Sequence, residues 1–308
     1  MNRAPILTSL PIPLVCPACH GALAFHADRA ECRTCAARYA VENGIPDLIV
    51  GGRFEDAEDA ALYQHEEATC THTTLRYMIP LIRRLTTNWS RPPRILSLGC
   101  GLGTDVDLLC EAGFDAVGVD CGNRATAWSR RQFKERLYLA NGKHLPFETA
   151  TFDLAYCGCV FPHVGVVGDT NQVRDGFFEE RLAVAKEMTR VLHPDGYLLV
   201  SSPNRLFPLD LFHGRSPGKQ IWPRLNPPTN PFLLSARDYR RLFRQAGWQR
   251  SELLPIDDYW GFLRRNQSWL GRLTALPVKT VFWLCSLRIG RPLRSSPLSP
   301  WLIMLFRR

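Results

Sequence analysis

The 308-residue sequence contains no apolar run long enough to cross a membrane as a helix. The longest apolar stretch near its C-terminus, residues 276–287, is interrupted by Pro277 and Lys279 and is shorter than the ~20 residues that a spanning helix needs. Residues 1–15 hold only a short apolar run broken by prolines, so we expect no signal peptide. Internal repeats and low-complexity tracts are also absent. We therefore expect a cytoplasmic protein, with peripheral attachment to a membrane left open.

The sequence also lacks the cysteine pattern of a disulfide-stapled secreted protein. Of its 11 cysteines, some cluster near the N-terminus and the rest are scattered without regular spacing. In a chain of this length, that distribution indicates a reducing compartment.

Acidic residues are scarce in the last quarter of the chain. Residues 235–308 contain 14 Lys/Arg and 4 Asp/Glu, whereas residues 1–234 contain 24 and 25, so the net charge of +9 belongs to the C-terminal region. Such a region suits nucleic acid, an anionic membrane surface or an anionic substrate, and a solvated basic surface is the simpler alternative.

The pattern of the chain predicts three parts. Residues 1–50 form a small cysteine-containing module, and residues 51–93 have the apolar spacing of a helical linker or lid. Residues 94–308 form the main domain, where strands and helices alternate, including a basic helix over 124–136. This alternation predicts an α/β fold with a mostly parallel sheet covered on both faces.

Two segments of the main domain stand apart from this alternation. Residues 206–234 hold six prolines and little periodicity, which is typical of a long functional loop. Residues 259–308 are basic and aromatic, with Trp260, Phe262, Trp269, Phe282, Trp283 and Trp301. Residues 300–306 are predicted to form the final strand.

Two cysteine pairs near the N-terminus predict a metal site formed by Cys16, Cys19, Cys32 and Cys35. Each Cys-x-x-Cys pair can form a turn that presents two thiolates to one ion, and four thiolates suit tetrahedral zinc better than iron. Because the thiolates fill the coordination sphere, we expect structural Zn²⁺ that helps a small module to fold.

A glycine turn follows the first strand of the main domain. Gly99, Gly101 and Gly103 stand between a strand and a helix, where glycine lets a ligand approach main-chain N–H groups. Asp120 ends the second strand, and a carboxylate there can accept both ribose hydroxyls of a nucleoside. The turn alone does not distinguish this site from that of nicotinamide enzymes.

The order of motifs over residues 94–204 resembles class I S-adenosylmethionine (SAM) dependent methyltransferases of the broad small-molecule group: I-L-S-L-G-C-G-L-G-T, A-V-G-V-D, H-L-P-F, F-D-L-A-Y and R-V-L-H-P-D-G-Y-L-L-V. The resemblance implies a doubly wound, mostly parallel seven-stranded methyltransferase sheet that binds SAM. The N-terminal module resembles the zinc-ribbon activator proteins of tRNA methyltransferases, in Cys-Pro-x-Cys-x-Gly at 16–21 and Tyr39 to Pro46.

The resemblance also implies roles for individual residues in binding SAM. Gly99, Gly101 and Gly103 would line the methionine moiety, and Asp120 would hold the ribose. The remaining predicted SAM-binding residues are Ser97 beside the methionine moiety, Asn141 and Gly142 around the adenine, and Cys157 and Gly158 under the sulfonium. Ser97 and Asn141 replace acids that are common in the family; each can still accept a hydrogen bond, but without a charge.

Candidate catalytic groups follow from the same comparison. His163 matches a family histidine after the fourth strand, and it can serve as a general base or pack the pocket wall. His213 lies in the Pro-rich loop and is a candidate substrate contact. Cys157 and Cys159 lack an adjacent base in the sequence, so we expect them to line the pocket rather than act as nucleophiles.

Three functions are compatible with these features. The first is methyl transfer to a small molecule, lipid or glycan, with the basic aromatic tail resting on a membrane. The second is methylation of an rRNA or tRNA base, with the tail following RNA phosphates. The third is a non-catalytic interaction protein whose ribbon binds a partner. The third alternative predicts no binding of SAM.

Overall fold

The computed structural model describes residues 11–42, 44–54, 60–168, 170–210, 224–261 and 269–308. Their strands are β1 (Leu23–Phe25), β2 (Arg29–Cys32), β3 (Arg38–Glu42), β4 (Ile45–Leu48), β5 (Arg94–Leu98), β6 (Asp115–Asp120), β7 (Leu137–Ala140), β8 (Phe152–Gly158), β9 (Leu192–Pro203), β10 (Leu209–Asp210), β11 (Arg224–Leu225), β12 (Arg250–Leu253) and β13 (Trp301–Arg307). Their helices are α1 (Ala60–Thr73), α2 (Ile79–Leu85), α3 (Thr104–Glu111), α4 (Phe177–Val191), α5 (Ala236–Gln245) and α6 (Trp269–Ser286).

One mixed sheet of 11 strands organises the fold, in the order β1-β2-β3-β4-β7-β6-β5-β8-β9-β13-β12. The pairs from β4 to β9 are parallel, whereas β9–β13, β13–β12 and the pairs among β1 to β4 are antiparallel. The predicted α/β fold with a mostly parallel central sheet is therefore confirmed, although the whole sheet has five parallel and five antiparallel pairs.

The sheet has more strands than the seven that the resemblance implies. Seven of the 11 strands come from residues after 93, and the N-terminal module adds four more at one edge. The addition occurs because β4 pairs in parallel with β7, with Asp47 opposite Leu139 and Leu48 opposite Ala140. The module thus continues the central sheet.

Alternating side chains place a core on each face of the sheet. On β5, Leu96 and Leu98 pack in one buried cluster and Ile95 in the other. Helix α4 covers the first face through Met188, and α2 covers the second through Ile82. Burial on both faces explains why the central strands are almost continuously apolar.

Of the segment 51–93 that was predicted to be helical, residues 60–85 are helical, with a short π-helix (Thr74–Met78) between α1 and α2, whereas residues 51–54 and 86–93 are not. The predicted helix over 124–136 is wrong: this segment forms two short 3-10 helices, Asn123–Arg130 and Lys134–Arg136. Contacts with the glycine turn explain the difference, because Trp128 Nε1 donates to the carbonyl of Gly101 (2.8 Å) and Arg131 Nε to that of Leu102 (2.7 Å).

The C-terminal region forms α6 and the predicted final strand, β13. In the Pro-rich segment, β10 and β11 pair antiparallel, and residues 211–223, including His213, lie outside the described residues, as does Phe262. None of the helices in the described ranges combines the length and apolarity needed to cross a membrane.

Candidate functional site

The glycine turn joins β5 to α3 in a conformation that favours glycine. Gly99, Gly101 and Gly103 have φ angles of +73°, +52° and +76°. A Cβ atom on Gly103 would lie 2.7 Å from Cδ1 of the buried Leu137, which is inside normal contact distance. A Cβ atom on Gly101 would meet only the Arg124 side chain, at 3.4 Å. The turn is therefore tightly packed at Gly103, and at Gly101 it has more room for a ligand.

Asp120 lies directly beside this turn, at the carboxyl end of β6. Its Oδ2 accepts from the main-chain N–H of Gly101 (2.8 Å), and its Oδ1 accepts from that of Gly122 (2.7 Å). Burial raises the pKa of Asp120, and the two N–H donors partly offset this effect by stabilising its charge. The structure thus fixes one carboxylate against the glycine turn.

A second carboxylate, which the sequence analysis missed, lies on the other side of the turn. Asp105, in the first turn of α3, accepts a hydrogen bond from the Ser97 hydroxyl and another from the N–H of Val106 (2.9 Å). Both Ser97 and Asp105 are buried, and burial raises the pKa of Asp105 to about 6. The negative charge that Ser97 lacks is therefore supplied by its partner.

Asn141 and Gly142 follow β7 at the same edge of the sheet. Asn141 Oδ1 accepts from the N–H of Lys143 (3.0 Å), and its Nδ2 donates to the carbonyl of Gly52 (3.0 Å). In the same segment, Phe54 donates its N–H to the carbonyl of Cys121 (3.1 Å). The chain that leaves the N-terminal module therefore borders the ends of β6 and β7.

Helix α1 covers the glycine turn through charged pairs. Arg124 donates to both carboxylate oxygens of Glu66 (2.8 and 2.7 Å), and Arg131 donates to Glu67 (2.7 Å). Burial, and secondarily the charge of Asp120, raises the pKa of Glu66 to about 7. Glu66 and Arg124 were also missed, because only the fold brings α1 against the turn.

The end of β8 forms the opposite wall. Cys157 is buried, and burial raises the pKa of its thiol, which does not favour a nucleophilic thiolate. Beside Gly158 lies a group of three hydroxyls: the Tyr259 hydroxyl is 3.1 Å from that of Tyr156 and 2.7 Å from Ser201 Oγ. Tyr259 and Ser201 are buried, so the three hydroxyls satisfy one another within the wall.

His163 lies in an aromatic environment near the same edge, in a short 3-10 helix (Phe161–His163). Its ring contacts those of Phe54 and Phe232 edge-on, with centroid distances of 5.3 and 5.9 Å. Arg181 holds the Phe232 segment by donating to the carbonyls of Pro231 (2.8 Å) and Phe232 (2.9 Å). Two distant segments of the chain, around Phe54 and Phe232, therefore contact this histidine.

The residues predicted to bind SAM lie at or beside the carboxyl ends of β5, β6, β7 and β8. These strands are parallel neighbours in the sheet, so their carboxyl ends meet at one edge. That edge is where α/β proteins commonly bind ligands. It combines a glycine turn, two carboxylates and a group of hydroxyls.

The four clustered cysteines form a separate site in the N-terminal module. Cys16 Sγ lies 3.7 Å from Cys35 Sγ, and Cys19 Sγ lies 3.5 Å from Cys32 Sγ. All four sulfur atoms lie within 4.8 Å of one another. Main-chain N–H groups of Cys35 and Thr34 point at Cys32 Sγ and lower the pKa of that thiol to about 6. The arrangement can hold one metal ion.

Comparison with known proteins gives a consistent match for the main domain. A family model described as a methyltransferase domain matches residues 70–253, more than half of the chain. A probable S-adenosylmethionine-dependent methyltransferase of Mycolicibacterium smegmatis is 26% identical over 53% of this chain and 54% of its own length. A similarly described protein of Mycobacterium tuberculosis is 27% identical over 50% of this chain and 48% of its own length. The chain spans about half the length of these curated relatives.

Among solved structures, an S-adenosylmethionine-dependent methyltransferase from Mesorhizobium loti is 17% identical, with a TM-score of 0.44, over 74% of this chain and 96% of that one. The family match includes the glycine turn, Asp120 and His163, and it excludes both the four-cysteine site and α6.

Proposed function

The chain belongs to the methyltransferase-domain family, and from this premise we propose that it transfers the methyl group of SAM to a small-molecule, lipid or glycan acceptor. The observation that carries the proposal is the pairing of the glycine turn with Asp120, through the hydrogen bond from Gly101. A fixed carboxylate beside a glycine turn, where no side chain stands on Gly101, is suited to a ligand that has both a ribose and a charged amino-acid end.

The residues at this edge are suited to SAM. Asp120 would hold the ribose hydroxyls, and Asn141 with Gly142 would border the adenine. Asp105, through its contact with Ser97, would offset the positive ammonium of the methionine end. That end would lie beside Gly101, where the approaching side chain is Arg124, held by its pair with Glu66.

Positioning of the acceptor is the main catalytic task of this chain. Bound SAM supplies a methyl group that is already activated by its positive sulfur. What the protein must do is hold the acceptor atom in line with that methyl, and such positioning is worth effective molarities of about 10⁵–10⁸ M. We assign the acceptor side to the wall at Gly158 and to His163 with its aromatic neighbours, because Gly158 and His163 are half-buried at this end of the sheet.

We further propose that the four-cysteine site holds structural Zn²⁺, as in the ribbons that this module resembles. A tetrahedron with Zn–S distances of about 2.3 Å has sulfur–sulfur edges of about 3.8 Å. The observed separations of 3.7 and 3.5 Å for Cys16–Cys35 and Cys19–Cys32 are close to this value. The Tyr39 hydroxyl, 3.1 Å from Cys16 Sγ, can donate to a metal-bound thiolate.

The experiment that tests methyl transfer is an acceptor survey with methyl-labelled SAM. Purified protein is incubated with pools of lipids, glycans, small molecules and RNA, and the labelled pool is fractionated. We expect label in one of the first three pools, and loss of labelling in Asp120→Ala. The matched control is Asp195→Ala, an exposed acid at the other end of the sheet, which should label normally. Label that appears only in RNA would contradict the proposed acceptor class.

A further inference from the structure

Helix α6 exposes a broad apolar face. Trp269 is 71% exposed, Trp283 57%, and Leu273 and Leu276 55% each. Their spacing places all four on one side of the helix. The opposite side is buried and includes Ala275, Phe282 and Cys285.

This helix is fixed to the body of the protein. Phe282 packs in the core cluster beneath α2, and Arg294 clamps the helix end by donating to the carbonyls of Cys285 (2.7 Å) and Ser286 (3.0 Å). The same guanidinium donates to the carbonyl of Leu253 in β12 (2.7 Å). The apolar face is therefore held in a defined orientation, and lipid could reach only one side of the helix.

The charge within residues 259–308 is of one sign, although the exposed Asp257 accepts a hydrogen bond from Ser286 near the end of the helix. Residues 259–308 contain 9 Lys/Arg and no Asp or Glu. Arg272 and Lys279 are seven residues apart, so they lie on the same flank of the apolar face. Exposed Arg288 and Arg291 follow the helix end. An apolar face with a basic border complements the headgroups and acyl boundary of an anionic membrane.

We propose that α6 docks the protein on an anionic membrane surface, with its exposed tryptophans and leucines in the headgroup region. A second copy of the chain would bury the apolar face but would bring the two basic borders together, which like-charge repulsion disfavours. RNA would use the basic residues and leave the four large apolar side chains exposed. The membrane is the partner that uses both features, and docking does not depend on the proposed methyl transfer.

The test is co-sedimentation of the full chain with vesicles. We expect binding to vesicles that contain phosphatidylglycerol and little binding to vesicles of phosphatidylcholine alone. Trp269→Ser/Leu273→Ser/Trp283→Ser should weaken binding by at least about tenfold. Arg272→Gln/Lys279→Gln should weaken binding to the anionic vesicles by about thirtyfold, since each basic residue near the surface contributes about a factor of five.

A matched control replaces exposed apolar residues elsewhere. Val167→Ser/Leu225→Ser changes side chains that are 48% and 76% exposed but lie outside α6, and it should bind as the unmodified protein does. Thermal melts establish that each variant is folded. Equal binding to both vesicle types, or undiminished binding of the triple variant, would overturn the proposal. So would a dimer in light scattering that the triple variant disperses, because a second copy would then cover the face.

Discussion

Replacing Gly103 by alanine is the sharpest test of how the glycine turn is built. At φ +76° an alanine is strained by roughly 1–2 kcal/mol. Its Cβ would also lie 2.7 and 3.2 Å from the two Cδ atoms of Leu137, a buried side chain with little room to move. Overpacking of this kind costs about 1–3 kcal/mol. We therefore expect Gly103→Ala to lower the free energy of unfolding by about 2–5 kcal/mol.

The two contributions can be separated with Leu137→Ala, which removes both Cδ atoms. In that background only the backbone strain remains, so Gly103→Ala should cost about 1–2 kcal/mol. The difference between the two backgrounds, about 1–3 kcal/mol, measures the steric contact with Leu137. Urea unfolding followed by circular dichroism gives all four free energies. An equal cost of Gly103→Ala in both backgrounds would refute the proposed contact, and a negligible cost in both would refute the strained turn.

Two further predictions concern the buried acid and the metal site. Burial raises the pKa of Asp105 to about 6 from 3.8, so the folded protein holds this proton between those pH values and its stability falls as pH rises through them. Asp105→Asn should remove this fall in the free energy of unfolding with pH. It should also weaken SAM binding about tenfold at neutral pH, because the ionised carboxylate would otherwise offset the positive ammonium of the methionine end. Chelation should release one zinc ion per chain and lower the melting temperature. It should also weaken SAM binding about tenfold, because the N-terminal module is joined to the predicted SAM site by the pairing of β4 with β7 and by the hydrogen bond from Asn141 to Gly52. Cys19→Ser should reproduce the effect of chelation and Cys110→Ser, outside the cluster, should not; unchanged melting after metal loss would contradict this coupling.

Local patterns were sufficient to predict the central strands and the glycine turn. The apolar runs at β5, β6, β8 and β9 are bounded by glycines or acids, and a parallel sheet brings their carboxyl ends to one edge. The positions that favour glycine also follow from local geometry, since three φ angles in the turn are positive.

Contacts between distant parts of the chain were not predictable from these patterns. The pairing of β4 with β7 joins residues that are about 90 positions apart, and nothing in either short strand specifies that partner. Asp105 is one of two acids in the first turn of α3, and only the packed structure shows that it, rather than Asp107, meets Ser97. The basic segment after β6 has a helical composition, but its bonds to the carbonyls of the glycine turn hold it in shorter 3-10 turns.

The buried face of helix α6 was also not predictable from the spacing of its apolar residues. Its sequence has apolar residues on most sides and a proline at position 277, so the pattern alone does not indicate which face is buried. The packing of Phe282 and the clamp by Arg294 decide the orientation. This packing shows which face of the helix, including Trp269 and Trp283, is exposed.

The most direct test of the central claim is an equilibrium titration of the protein with SAM by isothermal calorimetry. We predict saturable binding of one SAM per chain, weakened at least about a hundredfold in Asp120→Ala, which loses charge-assisted hydrogen bonds to the ribose. Asp195→Ala should bind SAM as the unmodified protein does. Absence of saturable binding, or the same affinity in Asp120→Ala, would contradict the assignment of this edge of the sheet as a SAM site.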